Sequence, residues 1–332
     1  VQQQPPHPGD PDAAPIGGRV VIRHRIPGGQ TDALGQLVGA DRETLTVRTR
    51  RGDVRVPRGN VTAAKPVPPA AFRRRPVDEL LGTSPDALQT LMTSGLPPLQ
   101  VQRLGEWTLR AGAGFTMRAN SALPIGDPGL PIPAALDQVE KFYAARDLPA
   151  RVQVADGPVA EHARQRGWEP SAPTWVMTAD PAAAVATLST PPDGVTVAMA
   201  PATDVHWWNG ATDRERLHRK VFAAMLALAA APEYFTLSRD GQVLGVARTA
   251  TDAGWTGLFS VHVDPAARRQ RVAATLLQEA ARHAAEQRTA LYLQVRGDNA
   301  PAIALYRKAG MTLHHQYRYW TAPDPAHARR TR

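Results

Sequence analysis

Residues Leu258 to Ala273 read LFSVHVDPAARRQRVA. The apolar run Leu258 to Val263 predicts a strand, Asp264-Pro265 ends it, and the helix that follows puts Leu276 and Leu277 on its buried face. The loop between them carries Arg268, Arg269 and Arg271 within four positions. The first N–H groups of a helix lack intrahelical partners, and the macrodipole adds positive potential there. Arginines at such a point oppose the dipole, so an anion is expected to compensate them, and the stretch predicts a pyrophosphate site. The bland alternative is an arginine-rich capping loop on a surface helix.

Working outward, Leu291 to Val295 is a second parallel-strand candidate, Asn299-Ala-Pro opens a helix, and Ala304 to Gly310 (ALYRKAG) closes it. Three motifs stand in order: V-x-V-x-P at Val261 to Pro265, R-R-x-x-V-A at Arg268 to Ala273, and N-x-x-A-x-x-L-Y-x-x-x-G at Asn299 to Gly310. Together they resemble the GNAT superfamily of acetyl-coenzyme A dependent N-acetyltransferases over about residues 193 to 320. The resemblance implies an α+β GNAT fold, a mixed sheet flanked by helices. It also implies roles. Backbone groups of Val261 and Val263 would pair with the pantetheine arm, and an N–H there would polarise the thioester carbonyl. Backbone N–H groups of Arg268, Arg269, Gln270, Arg271, Val272 and Ala273 would hold the pyrophosphate, with arginine side chains reaching the ribose phosphate. Asn299 would bond the pantetheine or the loop beside it, and Tyr306 would protonate the departing thiolate as general acid. Asn299 is equally a helix N-cap by its position, and Tyr306 beside Leu305 could be a core aromatic. At Arg271 the family usually has glycine, which lets backbone approach phosphate closely. Arginine costs little there if the backbone angles are helical.

The acceptor amine must lose a proton before attack, since a lysine-like amine has a pKa of about 10.4. Strict alternation along 258–263 places Phe259, Val261 and Val263 on one face and Ser260 and His262 on the other. His262 is therefore a candidate base, and Glu233 a second.

Upstream, a related half is expected. ARQRGWEPSAPTWVM (Ala163 to Met177) aligns with YRKAGMTLHHQYRYW (Tyr306 to Trp320) when Gly167 is laid on Gly310, and Ser121 to Pro128 resembles Ser260 to Pro265. This first copy has Gly129-Leu-Pro-Ile-Pro133 in place of the cationic loop, so it reads as degenerate. Ahead of it, short runs such as Arg19 to Ile26, Leu34 to Val38, Thr44 to Arg50 and Val54 to Val56 predict a small half-open β-barrel. Its residues Arg23, Arg25, Arg48, Arg50, Arg51, Arg55 and Arg58 could bind nucleic acid, but with few aromatics to stack bases they read as the solvated face of alternating strands. Lys65 to Pro69 reads as a linker. The expected domains are a disordered tail at 1–17, a Src-homology-3-like barrel at 18–69, a degenerate half at 70–190, a GNAT domain at 191–322 and a tail at 323–332. This arrangement resembles an actinobacterial family labelled histone acetyltransferase-like.

The 332 residues carry a net charge of +9, and all but four of the 39 cationic side chains are arginines, so anionic partners are expected. There is no cysteine, which excludes cysteinyl-enzyme transfer, disulfides and thiolate metal sites. The run Val221 to Ala231 is too short to span a bilayer and no signal peptide is evident, so a cytoplasmic protein is expected. Val1 reads as a read-through start. His314-His315 reads as structural rather than metal-binding, because neighbours in a strand face opposite sides. Trp207-Trp208 reads as a packed helix entry, and Gly112-Ala-Gly114-Phe115 lacks the rest of a dinucleotide fingerprint. The leading expectation is direct transfer of acetyl from acetyl-CoA to a primary amine, either a small molecule or a protein lysine, without a metal. The rival is a non-catalytic acyl-CoA-binding or nucleic-acid-binding regulator.

Overall fold

The computed structural model describes residues 19–40, 43–49, 52–66, 75–188 and 192–323. The chain forms two compact units, Val1–Arg74 and Arg75–Arg332. The tail expected at 1–17, all but the first residue of the tail expected at 323–332, and the boundaries expected at 69 and 190 lie outside the described residues.

In the first unit, β1 (Arg19–Ile26), β2 (Gly29–Ala40), β3 (Thr44–Thr49), β4 (Gly52–Pro57) and β5 (Val61–Pro66) form one antiparallel sheet in the order β4-β3-β2-β1-β5. Period-two alternation buries Val20, Ile22, Leu45, Val47 and Val56 and turns Arg23, Arg25, Arg48 and Arg55 outward. Arg23 pairs with Asp32 at 2.8 Å and Arg48 with Asp53 at 3.0 Å, so part of the basic face is already compensated. Arg50 and Arg51 lie outside the described residues. Two readings are corrected: the strand expected at 34–38 runs the full length of β2, and Lys65 and Pro66 pair with β1 instead of beginning a linker.

The second unit contains β6 (Gln100–Leu104), β7 (Trp107–Ala111), β8 (Arg151–Val154), β9 (Glu169–Pro170), β10 (Thr174–Ala179), β11 (Val195–Ala200), β12 (Pro232–Arg239), β13 (Gln242–Asp252), β14 (Trp255–Val263), β15 (Ala290–Arg296) and β16 (Thr312–Thr321). β6 and β7 form a hairpin; the main sheet runs β11-β12-β13-β14-β15-β10-β16-β8, with β9 beside β16. Among the described strands, β14 and β15 form the one parallel ladder, beside an isolated parallel bridge between Ala122 and Val152. The helix Val272–Gln287 crosses between them, and its Leu276, Leu277 and Ala280 are fully buried against the sheet. Each such leucine contributes about 1.5–3 kcal/mol of burial.

The duplication expected from the sequence is present. The helices Pro158–Gln165 and Ala300–Lys308 both carry proline in their first turn. Each ends at a left-handed glycine, Gly167 at φ 74° and Gly310 at φ 77°. The closing bonds match: Trp168 N–H donates to Ala163 O, and Met311 N–H to Tyr306 O. Ala163 thus stands where the second half has Tyr306. Strands are exchanged between the halves. β10, from the first, lies between β15 and β16 of the second, and β16 in turn pairs with β8 and β9 of the first.

Two bulges revise the alternation assumed from sequence. In β14 the register against β13 shifts after Phe259, and Ser260 sits at φ 48°. An extra residue inverts the parity, so Val261 and Val263 pack with Leu258 on the face of helix Val272–Gln287, while Phe259 joins Trp255 and Tyr292 on the opposite face. In β16 a shift lies between Leu313 and His315. His314 and His315 consequently face one another, with Nδ1 atoms 2.7 Å apart, instead of opposite sides. No group of three potential metal ligands gathers among the described residues, and no helix among them is long and apolar enough to cross a membrane.

The His314 Nε2 lies 2.8 Å from the Thr83 carbonyl oxygen and must donate to it, so in the neutral pair His315 Nδ1–H donates to His314 Nδ1. Burial and then the neighbouring His314 pull His315 down to about 4. An unfolded histidine titrates at about 6.5, so between these values the unfolded chain binds more protons than the folded one, and stability falls as pH drops. Urea unfolding at pH 7 and pH 5 should show a larger loss for the native chain than for His315→Gln. Equal losses would remove His315 as a source of acid sensitivity.

Candidate active site

The cationic loop and the helix it opens line a cleft of about 430 Å³. Val263, Arg268, Arg269, Arg271, Val272 and Ala273 form one wall, and Leu305 and Lys308 of the helix Ala300–Lys308 form the other. The helix Val272–Gln287 has no side-chain cap and no acidic residue in its first turn. Its first intrahelical acceptor is Arg271 O, which takes the Thr275 N–H, leaving the N–H groups of Val272, Ala273 and Ala274 for a ligand. None of the four cations has an ion pair among the described residues. Free donors, a helix dipole and unpaired cations fit a phosphorylated coenzyme.

Arg271 adopts φ 61° and ψ 9° and Arg269 φ 62°, both left-handed. The condition under which arginine would cost little at 271, helical backbone angles, is therefore not met. The left-handed region costs a residue with a Cβ about 1–2 kcal/mol. Gln270 turns away: its amide donates to Ala266 O, and its Oε1 accepts from Arg239. Lys308 was not singled out from the sequence, although it lies one turn beyond Leu305 on the same helix face.

β14 and β15 pair only from Trp255↔Ala290 to Leu258↔Leu293 and part beyond that point. Asp264 N–H donates to Leu244 O of β13 at 2.9 Å. Two-residue alternation then turns the backbone groups of Val261 and Val263 the other way, into the gap. Tyr306 is buried in the cluster that Val261 and Val263 pack against, and desolvation raises its phenol to about 12. Asn299 caps its own helix, its Oδ1 accepting from Ala302 N–H at 3.3 Å.

A second cavity, of about 280 Å³, opens at the same gap. Phe259 and Ser260 of β14, Gln294 of β15 and Tyr317 of β16 line it, together with Arg118 from the first half. Its single carboxylate is Glu215. Oε1 of Glu215 accepts from Ser260 Oγ at 2.8 Å, and Oε2 from Thr212 N–H at 2.9 Å and Thr212 Oγ at 2.8 Å. Ser260 and Val263 are three residues apart, so the two cavities lie within about 10 Å along β14. Neither proposed base borders this cavity. His262 Nδ1 lies 2.8 Å from Gly210 O and so carries the proton, and Glu233 sits half-buried within β12. Trp207 and Trp208 are packed inside, with Trp207 Nε1 donating to Ala247 O.

Sequence reading missed Glu215 and Arg118. Glu215 was visible only as the fourth residue of a capping box, T-x-x-E at Thr212 to Glu215. Arg118 follows the Gly112 to Phe115 loop. Buried Asn120 holds that loop, accepting from Gly112 and Gly114 N–H groups and donating to Phe115 and Thr116 carbonyls.

A family described as the C-terminal part of the probable histone acetyltransferase Rv0428c matches residues 86–320, and the Rv0428c N-terminal Sm-like domain matches residues 14–65. The probable histone acetyltransferase Rv0428c of Mycobacterium tuberculosis is 31% identical over 148 residues, 42% of this chain and 45% of that protein. A mycothiol acetyltransferase of Catenulispora acidiphila is 30% identical over 200 residues, 54% of this chain and 63% of that protein. The chain thus spans between about half and two thirds of these relatives. Among solved structures, a GCN5-related N-acetyltransferase from Kribbella flavida superposes with a TM-score of 0.54 at 19% identity, covering 74% of this chain and 97% of that one. A tandem GNAT protein from the clavulanic acid biosynthesis pathway gives 0.50 at 15% identity, covering 78% and 98%. These two similarities establish the fold, including its tandem form.

The left-handed angles at Arg271 generate a stability prediction. Arg271→Val, β-branched at φ 61°, should destabilise the fold by about 1–2 kcal/mol in chemical denaturation, whereas Arg271→Gly should not destabilise it. Equal effects of the two substitutions would contradict the left-handed assignment.

Proposed function

Because the chain belongs to the family of the probable histone acetyltransferase Rv0428c C-terminal part, with the GNAT fold, we propose that it is an N-acetyltransferase moving acetyl from acetyl-CoA directly to a primary amine. One observation carries this reading: the uncapped helix N-terminus with its unpaired cations opens beside the gap between β14 and β15, and the second cavity meets the same gap. The coenzyme supplies an activated thioester. Val272, Ala273 and Ala274 N–H groups hold its pyrophosphate, with Arg268, Arg269, Arg271 and Lys308 adding charge. Val261 and Val263 bond its extended arm through their backbone, and an N–H of this pair polarises the carbonyl that is attacked.

Glu215, as the only carboxylate lining the second cavity, takes the proton from the acceptor ammonium. The freed amine lone pair forms the C–N bond as the C–S bond breaks, and the nitrogen's second proton leaves to restore the phenol proton that Tyr306 gives up. Tyr306 gives its phenolic proton to the departing sulfur, and its raised pKa keeps that proton in place throughout the neutral range. Absence of cysteine supports transfer in one ternary complex. Arg23–Asp32 and Arg48–Asp53 pairing supports the solvated-face reading of the barrel over nucleic-acid binding.

Calorimetry tests the coenzyme site: an Arg268→Ala, Arg269→Ala double variant should bind acetyl-CoA at least tenfold more weakly, and unchanged binding would overturn the assignment. Steady-state kinetics test the acid. Tyr306→Phe should lower kcat by about 10²-fold while retaining coenzyme affinity, whereas an equal kcat would remove this role.

A further inference from the structure

The second cavity is lined by Arg118, Arg214, Arg248 and Arg296 against the one carboxylate of Glu215. Arg296 has its counter-charge outside, in Asp298. The other three guanidinium groups have no ion pair among the described residues. Arg248 is 1% exposed, donates Nη1 to Gly95 O at 2.8 Å and leaves its Nε buried without a partner. Arg118 Nε is buried without a partner as well. Both stack on one ring, lying 4.3 Å and 5.7 Å from the Phe259 centroid. Burial pulls Arg248 down to about 10, which leaves it charged at neutral pH. Glu215 forms no ion pair with either arginine, its oxygens accepting from Ser260 and Thr212, and its one negative charge does not balance the guanidinium groups gathered around it.

Two cations against one aromatic ring, one of them almost wholly removed from water, are costly unless an anion joins them. The coenzyme phosphates have their own cations in the other cleft. The charge that completes this cavity must come from the acceptor. We infer that the acceptor is a small amine carrying its own anionic group, a carboxylate or a phosphate, bound by Arg118 and Arg248 with its amine toward Glu215. Arg214, exposed at the rim and 5.6 Å from the Phe115 ring, draws such a molecule in. A lysine in a basic protein tail meets like charge here, and a cavity of about 280 Å³ suits a molecule of amino-acid size. This inference rests on the acetyltransferase reading and names its substrate class.

The test is an acceptor panel with saturating acetyl-CoA: glutamate and aspartate for the carboxylate, phosphoethanolamine for the phosphate, ethanolamine as a neutral amine and a lysine-rich peptide as a cation. An acidic amine should give the highest kcat/KM, and Arg118→Gln should raise its KM at least tenfold while the KM for acetyl-CoA stays the same. Exposed Arg214→Gln, which spares the buried cluster, should raise the acidic amine's KM by a smaller factor that vanishes at high salt. Preference for the peptide or the neutral amine, with no response to either substitution, overturns the inference and leaves the acetyltransferase reading intact. Calorimetry without coenzyme separates the two ideas. If acetyl-CoA fails to bind, the acetyltransferase reading falls. Arg118-dependent binding of an acidic amine would still support an anion site, and no binding of any acidic amine would overturn it.

Discussion

The bulge at Ser260 is the constraint on which the site depends. A parallel pair held along its whole length would close the sheet between β14 and β15 and leave no room for a third extended chain. Pairing instead stops at Leu258↔Leu293. The extra residue turns Phe259 to one face and Val261 and Val263 to the other. One defect therefore opens the gap, aims free backbone groups into it, and aligns Ser260 with Glu215. The left-handed φ at Ser260 is a local cost of about 1–2 kcal/mol, which the packing of Val261, Val263 and Phe259 on the two faces offsets.

Positive charge is distributed in the same way on both sides of that gap. In each cavity, guanidinium groups other than Arg296 lack carboxylate partners among the described residues, although aspartates and glutamates pair freely elsewhere on the surface, as Glu161 does with Arg164 and Glu279 with Arg282. The two cavities differ in how they tolerate the charge. The cleft at the N-terminus of the helix Val272–Gln287 leaves its arginines near solvent, where an ion atmosphere screens them. The second cavity buries Arg248 and gives it an aromatic ring and one carbonyl, enough to keep the side chain placed but not to neutralise it.

How much of this was legible in the sequence depended on range. The strand, cationic loop and helix of Leu258 to Ala273 are local features, and hydrophobic period and breakers specify them. Asn299 and Gly310 likewise cap the helix they flank. The bulge was not legible, because Phe259, Ser260 and Val261 continue an apolar strand and only the register against β13 reveals the extra residue. The same holds for His314 and His315, whose opposition follows from a shift against β10, a strand of the first half whose Val176 pairs with His315. Glu215 was hidden differently: a capping box accounts fully for a glutamate at that position, so its second task left no separate signal.

Strand exchange explains why a degenerate first half is retained. Pro131 and Pro133 at the start of the helix Ile132–Ala144 and the absence of cations there remove the phosphate donors, and Ala163 stands in place of the phenol. Yet β10 lies between β15 and β16, and β16 takes β8 and β9 as its neighbours, so neither half closes its sheet alone. The loop pinned by Asn120 then places Phe115 and Arg118 in the wall of the second cavity, beside β14 and β15 of the other half. That loop supplies a wall of the cavity and a second cation, Arg118, beside the second half's own buried Arg248.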